Sequence, residues 1–266
     1  MSYGRYESPQ FGVAIWYNDV EYSSEYPRKI LPILEEHGFF PPKSMDAGKN
    51  IFTKNSIKDK TIYPATKDMK AQEARDFFIK CYAEEDIMGL YLMNHGKRER
   101  RNGDFWAINW NFTCYKSPKL LEPKPIFMPS NIFSIDSTYD RFAEEENLTN
   151  FFTATKRIIE VLNPYYANIE DTSTAVSVMD RTKERFFEPN YLQSIYWGNY
   201  FGEKLCKDLG MDKLNKLPVK NKETLGNGFF FTLTDDILDS RDNPDFRLRK
   251  KIYKFLNPSV DNHMAF

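Results

Sequence analysis

Cysteine and histidine are scarce in this 266-residue chain, with three of each. Cys81, Cys114 and Cys206 stand far apart and odd in number, which excludes a disulfide framework and a CxxC metal site. Reduced thiols of a cytosolic protein fit that usage, and Cys81 and Cys206 fall among apolar helix positions, where small core residues belong. His37, His95 and His263 include no pair four residues apart, so an HExxH-type zinc site is absent, and each reads as a surface residue. Charge of one sign is lacking too: 37 Lys and Arg against 38 Asp and Glu leave −1. No global field favours nucleic acid or an anionic membrane. No apolar run reaches the length of a membrane span, and the N-terminal MSYGRYESPQ lacks the apolar core of a secretory signal, so a cytoplasmic location is expected. Asn111-Phe-Thr and Asn147-Leu-Thr match the glycosylation pattern, which means little without secretion. The motifs GxxxxGK[ST], GxGxxG and GxSxG are missing, and no cofactor is expected. A Ser-His or Cys-His pair assembled in space stays open.

What the chain has is aromatic mass: 22 Phe, 16 Tyr and 4 Trp within a 41% hydrophobic composition, too much for wholesale disorder. Residues 11–17 (FGVAIWY) predict a strand. Residues 24–37 predict a helix stopped by Gly38, with Pro32 implying a kink or a later start. Residues 39–68 read as irregular. Residues 70–84 predict an amphipathic helix with Ala74, Phe77, Phe78, Cys81 and Tyr82 on one face. A hairpin follows, residues 87–93 against 105–114, the second strand alternating through Trp106, Ile108, Trp110, Phe112 and Cys114. Residues 116–138 carry Pro118, Pro123, Pro125 and Pro129 and read as an extended connector. Residues 139–162 predict a helix with a Phe151, Thr155, Ile158, Ile159, Leu162 stripe, ended by Asn163-Pro164. Then come a strand (165–171), a strand (193–197), a turn through Gly198 and Asn199, a helix (201–209) ended by Gly210, a loop, a strand (228–234) and a helix (244–256). Residues 257–266 read as a loosely held tail. The sum is an α+β fold with mixed, mainly antiparallel sheet and packed helices. It forms one domain over 1–266, or two similar halves, 1–115 and 139–258, joined by the Pro-rich connector.

Several residues could carry function. Glu170-Asp171 and Asp235-Asp236 with Asp239 sit at strand ends, where carboxylates hold metals or act as acid and base, but also cap helices and solvate loops. Glu144-Glu145-Glu146 reads as a solvated helix face. The hairpin tip with Lys97, Arg98, Arg100 and Arg101 could contact phosphate, dock an acidic partner, or simply be solvated. The crowding of Tyr196, Trp197, Tyr200 and Phe201 reads first as a core corner and second as a binding surface.

That last segment carries a resemblance. Trp197-Gly198-Asn199-Tyr200-Phe201 resembles the W-x-N-(Y/F)-(L/F) strand-turn of the type VI immunity and immunity protein 52 group, bacterial proteins encoded beside polymorphic toxins or secreted effectors. The helix over 205–210, Gly226-Asn227-Gly228-Phe229-Phe230, the helix over 247–258 and Asn163-Pro164-Tyr165-Tyr166-Ala167 continue the likeness, which spans about residues 155–258. The resemblance implies a non-enzymatic protector that binds a cognate toxin or effector domain, nucleases among them, and occludes it, without itself binding nucleic acid or membrane. It transfers no binding residues by position, because immunity residues in that group vary with the toxin. On clustering alone, Glu170, Asp171, Asp235, Asp236, Asp239, Lys97, Arg98, Arg100 and Arg101 are the candidates for partner contact. The rival is a metal-dependent enzyme acting on a nucleotide or small molecule through the strand-end carboxylates. A nucleic-acid-binding module working through residues 97–101 is a third class.

Overall fold

Strand β1 (Gln10–Tyr17) sits in the middle of the fold because both its faces are worth burying. Phe11, Val13, Ile15 and Tyr17 line one face and Trp16 the other, all withdrawn from water. A computed structural model describes residues 10–17, 25–39, 45–51, 67–83, 87–95, 105–111, 131–138, 142, 144–171, 192, 194–235 and 246–257. After β1 come α1 (Glu25–Glu36), β2 (Met45–Ile51), β3 (Lys67–Met69), α2 (Ala71–Tyr82), β4 (Ile87–His95), β5 (Phe105–Asn111) and β6 (Asn131–Thr138). The second part holds α3 (Glu145–Leu162), β7 (Tyr166–Asp171), β8 (Gly198–Phe201), α4 (Glu203–Leu209), α5 (Met211–Asn215), β9 (Lys222–Leu225), β10 (Gly228–Thr232) and α6 (Phe246–Leu256). The fold class is α+β.

The strands form one ten-stranded sheet in the order β3-β2-β4-β5-β6-β1-β7-β8-β10-β9, antiparallel at every pairing. Several sequence expectations shift accordingly. Residues 39–68, read as irregular, contain β2 and the start of β3. The segment read as a connector ends in β6, a central strand wedged between β5 and β1. The strand expected at 193–197 falls instead at Gly198–Phe201, and the loop before β10 contains β9. The predicted hairpin is real: β4 and β5 pair from Gly89↔Asn111 to His95↔Phe105. Phe112, Cys114 and the basic tip lie outside the described residues.

Helices α1, α2 and α3 cover the Phe11 face. Phe11, Phe142 and Phe151 make a chain of edge-to-face rings, with centroids 5.3 and 4.9 Å apart. At the other end Tyr17 and Tyr82 share a hydroxyl hydrogen bond of 2.8 Å that ties α2 to β1. Helix α3 buries Phe151, Ala154, Thr155, Ile158, Ile159 and Leu162, the expected stripe, and ends at Asn163 in the left-handed region (φ 43°). Helix α1 runs through Pro32 and stops at Gly38. His37 joins α1 to α3: Arg157 donates to Nε2 (3.1 Å), which leaves Nδ1 to donate to Asn150 Oδ1 (3.3 Å). Cys81 and Cys206 are buried thiols in no disulfide, as expected.

The opposite face is covered at the β7–β8 end by α6. There Trp16, Tyr166, Tyr196 and Phe201 stack beside the Glu170–Arg249 pair. Tyr196, Trp197, Tyr200 and Phe201 are all within 2% of full burial, so the aromatic corner is core.

Candidate functional site

Helix α3 has a second stripe beside the one it buries. Glu145, Leu148, Thr149, Phe152, Thr153 and Lys156 recur at helical spacing and form one wall of an open groove of about 630 Å³. The other wall comes from the residues leading into β9, the β9–β10 hairpin and the turn after it, through Lys220, Asn221, Glu223, Phe230, Thr232 and Asp235. The hairpin turns tightly through Gly226, whose φ of +53° lies in the region only glycine enters freely. Trp197 closes the floor, its ring centroid 5.7 Å from Phe152 and 6.0 Å from Phe11.

Trp197 is held from three sides. Its backbone N–H donates to Glu170 Oε2 at 3.1 Å, its carbonyl accepts from Leu233 N–H at 2.8 Å, and its indole Nε1–H donates to Thr234 Oγ1 at 2.9 Å. Asn199 supports the same turn, accepting from Tyr196 N–H at 3.0 Å and donating to Tyr196 O at 2.8 Å. Glu170 in turn takes Arg249 Nη1 of α6 at 2.5 Å, and the same nitrogen reaches Ile195 O at 3.3 Å. Both side chains are buried, at 4% and 10% exposure, so the pair acts in a medium where it is neither screened nor solvated.

The rim is charged, and most of its charges answer each other. Lys156 pairs with Glu223 at 2.6 Å and lies 5.5 Å over the Phe230 ring. Lys220 pairs with Asp235 at 3.3 Å, and Asn221 donates to the other Asp235 oxygen at 2.8 Å. Lys222 turns its ammonium to the carbonyls of Asn215 and Leu217. Chemically the groove offers an apolar floor of Leu148, Phe152, Trp197 and Phe230 with a polar rim, the composition of a recognition surface.

The structure therefore separates the residues singled out in the sequence. Asp235 is exposed on the groove rim. Glu170 is not on the surface: its carboxylate is inside, spent on Arg249 and Trp197, and it reaches the groove only through the tryptophan it holds. Asp171 ends β7, opposite Phe11 on β1. Asp236, Asp239, Lys97, Arg98, Arg100 and Arg101 lie outside the described residues. Among the described residues no three His, Cys, Asp or Glu side chains group as a metal site, and no helix is long and apolar enough to cross a membrane. Sequence reasoning missed the Leu148–Phe152 stripe and the β9 wall. The i, i+4 spacing of those two apolar residues was the available signal, eclipsed by the stronger stripe beginning at Phe151.

One further titratable group stands out on the face of β1 opposite the three helices. Asp136 of β6 lies across from Gly12, which lies in turn across from Glu170 of β7. Burial pushes the Asp136 carboxyl up to about 7.

No protein-family model matches the chain, and no curated protein matches it in sequence. Among solved structures, the fold is similar to that of the Pseudomonas aeruginosa T6SS protein PA0821, with a TM-score of 0.60 over 93% of this chain and 73% of that one, at 13% identity.

Proposed function

We propose that this chain is an immunity protein that binds a cognate secreted toxin or effector domain and neutralises it by stoichiometric occlusion in the cytoplasm. The observation that carries the reading is the groove itself. Trp197 at its floor is held by three hydrogen bonds, and its rim charges are mostly matched to one another rather than converging on one point. Preorganised aromatic anchors inside a polar rim suit the capture of a protein segment. Two likenesses support the setting. The Trp197–Phe201 segment resembles the type VI immunity group, and the fold is similar to that of a protein named for type VI secretion. The partner in this reading is a toxin domain, nucleases included, and binding needs no cofactor.

The test is rescue with stoichiometry. A toxin domain should be encoded beside this gene, cells expressing it should survive when the chain is co-expressed, and the purified proteins should elute as a defined complex at equal molar ratio. Survival without a complex, or turnover of a nucleotide or small molecule dependent on a divalent metal, overturns the proposal in favour of an enzyme.

A further inference from the structure

The geometry points to the groove between α3 and the β9–β10 hairpin as the docking surface, and to a partner segment that carries a large apolar side chain next to a lysine or arginine. This inference rests on the protein-binding reading above and deepens it by naming the surface and the chemistry of what it takes.

The apolar half of the argument is exposure at the right place. Leu148 and Phe152 are only half-buried, although they adjoin a floor in which Trp197 and Phe230 are sealed at 2% and 5%. An apolar side chain laid between α3 and the hairpin would complete the burial of both, and area removed from water is the driving term.

The charged half follows from what is left over. Lys156–Glu223 and Lys220–Asp235 cancel, while Lys222, its ammonium held on the carbonyls of Asn215 and Leu217, keeps one positive charge on the hairpin wall. Glu144, Glu145 and Glu146 remain at the start of α3, all exposed, with Glu145 lining the groove mouth. Glu145 and Glu146 pair with no cation among the described residues. Against the three carboxylates stand the Lys222 ammonium on the opposite wall and about half a unit of positive charge from the helix N-terminus, so the mouth stays negative. An acidic segment or a nucleic-acid backbone would be repelled there, and a basic side chain drawn in.

The experiment selects binders from a displayed random dodecapeptide library on the immobilised full chain. Enriched peptides should share an aromatic or large aliphatic residue beside Lys or Arg. Their binding should fall at least tenfold on the Glu145→Lys/Glu146→Lys double variant, and comparably on Thr149→Arg, which fills the groove from an exposed position. Thermal melts should show both variants folded. Absence of enrichment, enrichment of acidic peptides, or binding unchanged in both variants overturns the inference. The same variants separate it from the broader reading. If wild type and both variants rescue toxin-expressing cells equally, the groove assignment falls while the protector stands. If wild type does not rescue, the protector reading falls, and peptide selection alone decides whether the groove binds such segments.

Discussion

Glu170 and Arg249 stand at the residue scale as the pair on which the site's geometry depends. A single broken partner in such a buried pair typically costs about 3–5 kcal/mol, because the remaining charge stays buried without its counter-ion. Arg249→Met should therefore destabilise by that order in urea unfolding at unchanged m, and adding Glu170→Gln should recover a good part of the loss. Asp136 gives a second expectation. Its carboxyl is raised from 3.8 to about 7, so between those values the folded state holds a proton that the unfolded state has released. Stability contributed by that proton is complete below about 4 and lost as pH rises through about 7. Asp136→Asn should flatten this slope, melting several degrees above wild type at pH 8 and level with it at pH 4. Cys206 gives a third: burial pushes its thiol up to about 12, and it donates to Phe201 O at 3.0 Å. It should resist alkylation at pH 8 in the native state and react on unfolding, as mass spectrometry would show. Single residues were legible only in part. Buried cysteines and aromatics announced themselves by their apolar neighbours. Glu170 reads in the sequence as a strand-end candidate for partner contact, because the arginine it binds lies 79 positions away, a distance no local pattern reports.

At the scale of elements, amphipathic periodicity served well wherever one face carried the packing. Helices α2, α3 and α6 and the β4–β5 hairpin fall close to where their spacing placed them. It failed for β2 (MDAGKNI) and β9 (KETL), which are strands by pairing rather than by propensity. It failed differently for β8. Gly198-Asn199 carries turn chemistry, yet both residues belong to the strand. A Cβ at Gly198 would come within 2.8 Å of Ile169 Cβ, and the Asn199 amide serves the turn before the strand rather than one within it. The junction into α4 is equally tight. Gly202 N–H donates to Tyr165 O at 2.9 Å, and a Cβ there would meet the Pro164–Tyr165 backbone, with Tyr165 Cα at 2.7 Å. Gly202→Ala should cost about 1–3 kcal/mol by overpacking, read as a lower urea midpoint. The groove wall was the hardest element to foresee, since it combines a minor stripe of α3 with a strand that has no apolar pattern.

For the molecule as a whole, a single sheet crosses the segment that reads in sequence as a joint between halves. Strand β1 hydrogen-bonds to β6 on one side and β7 on the other. A fragment ending at residue 115 leaves β1 without either neighbour and should show no cooperative melting transition by circular dichroism. The same arrangement bears on how the chain is made. Among the described strands the first to be translated is central in the finished sheet, and roughly a hundred residues of translation separate it from its earlier strand neighbour, β6. At about 5–20 residues per second, both hydrogen-bonding edges of β1 stay unpaired for some 5–20 s. That interval makes the nascent protein a client for holding chaperones, and makes its yield in the cell sensitive to the pace of synthesis as well as to the stability of the final fold.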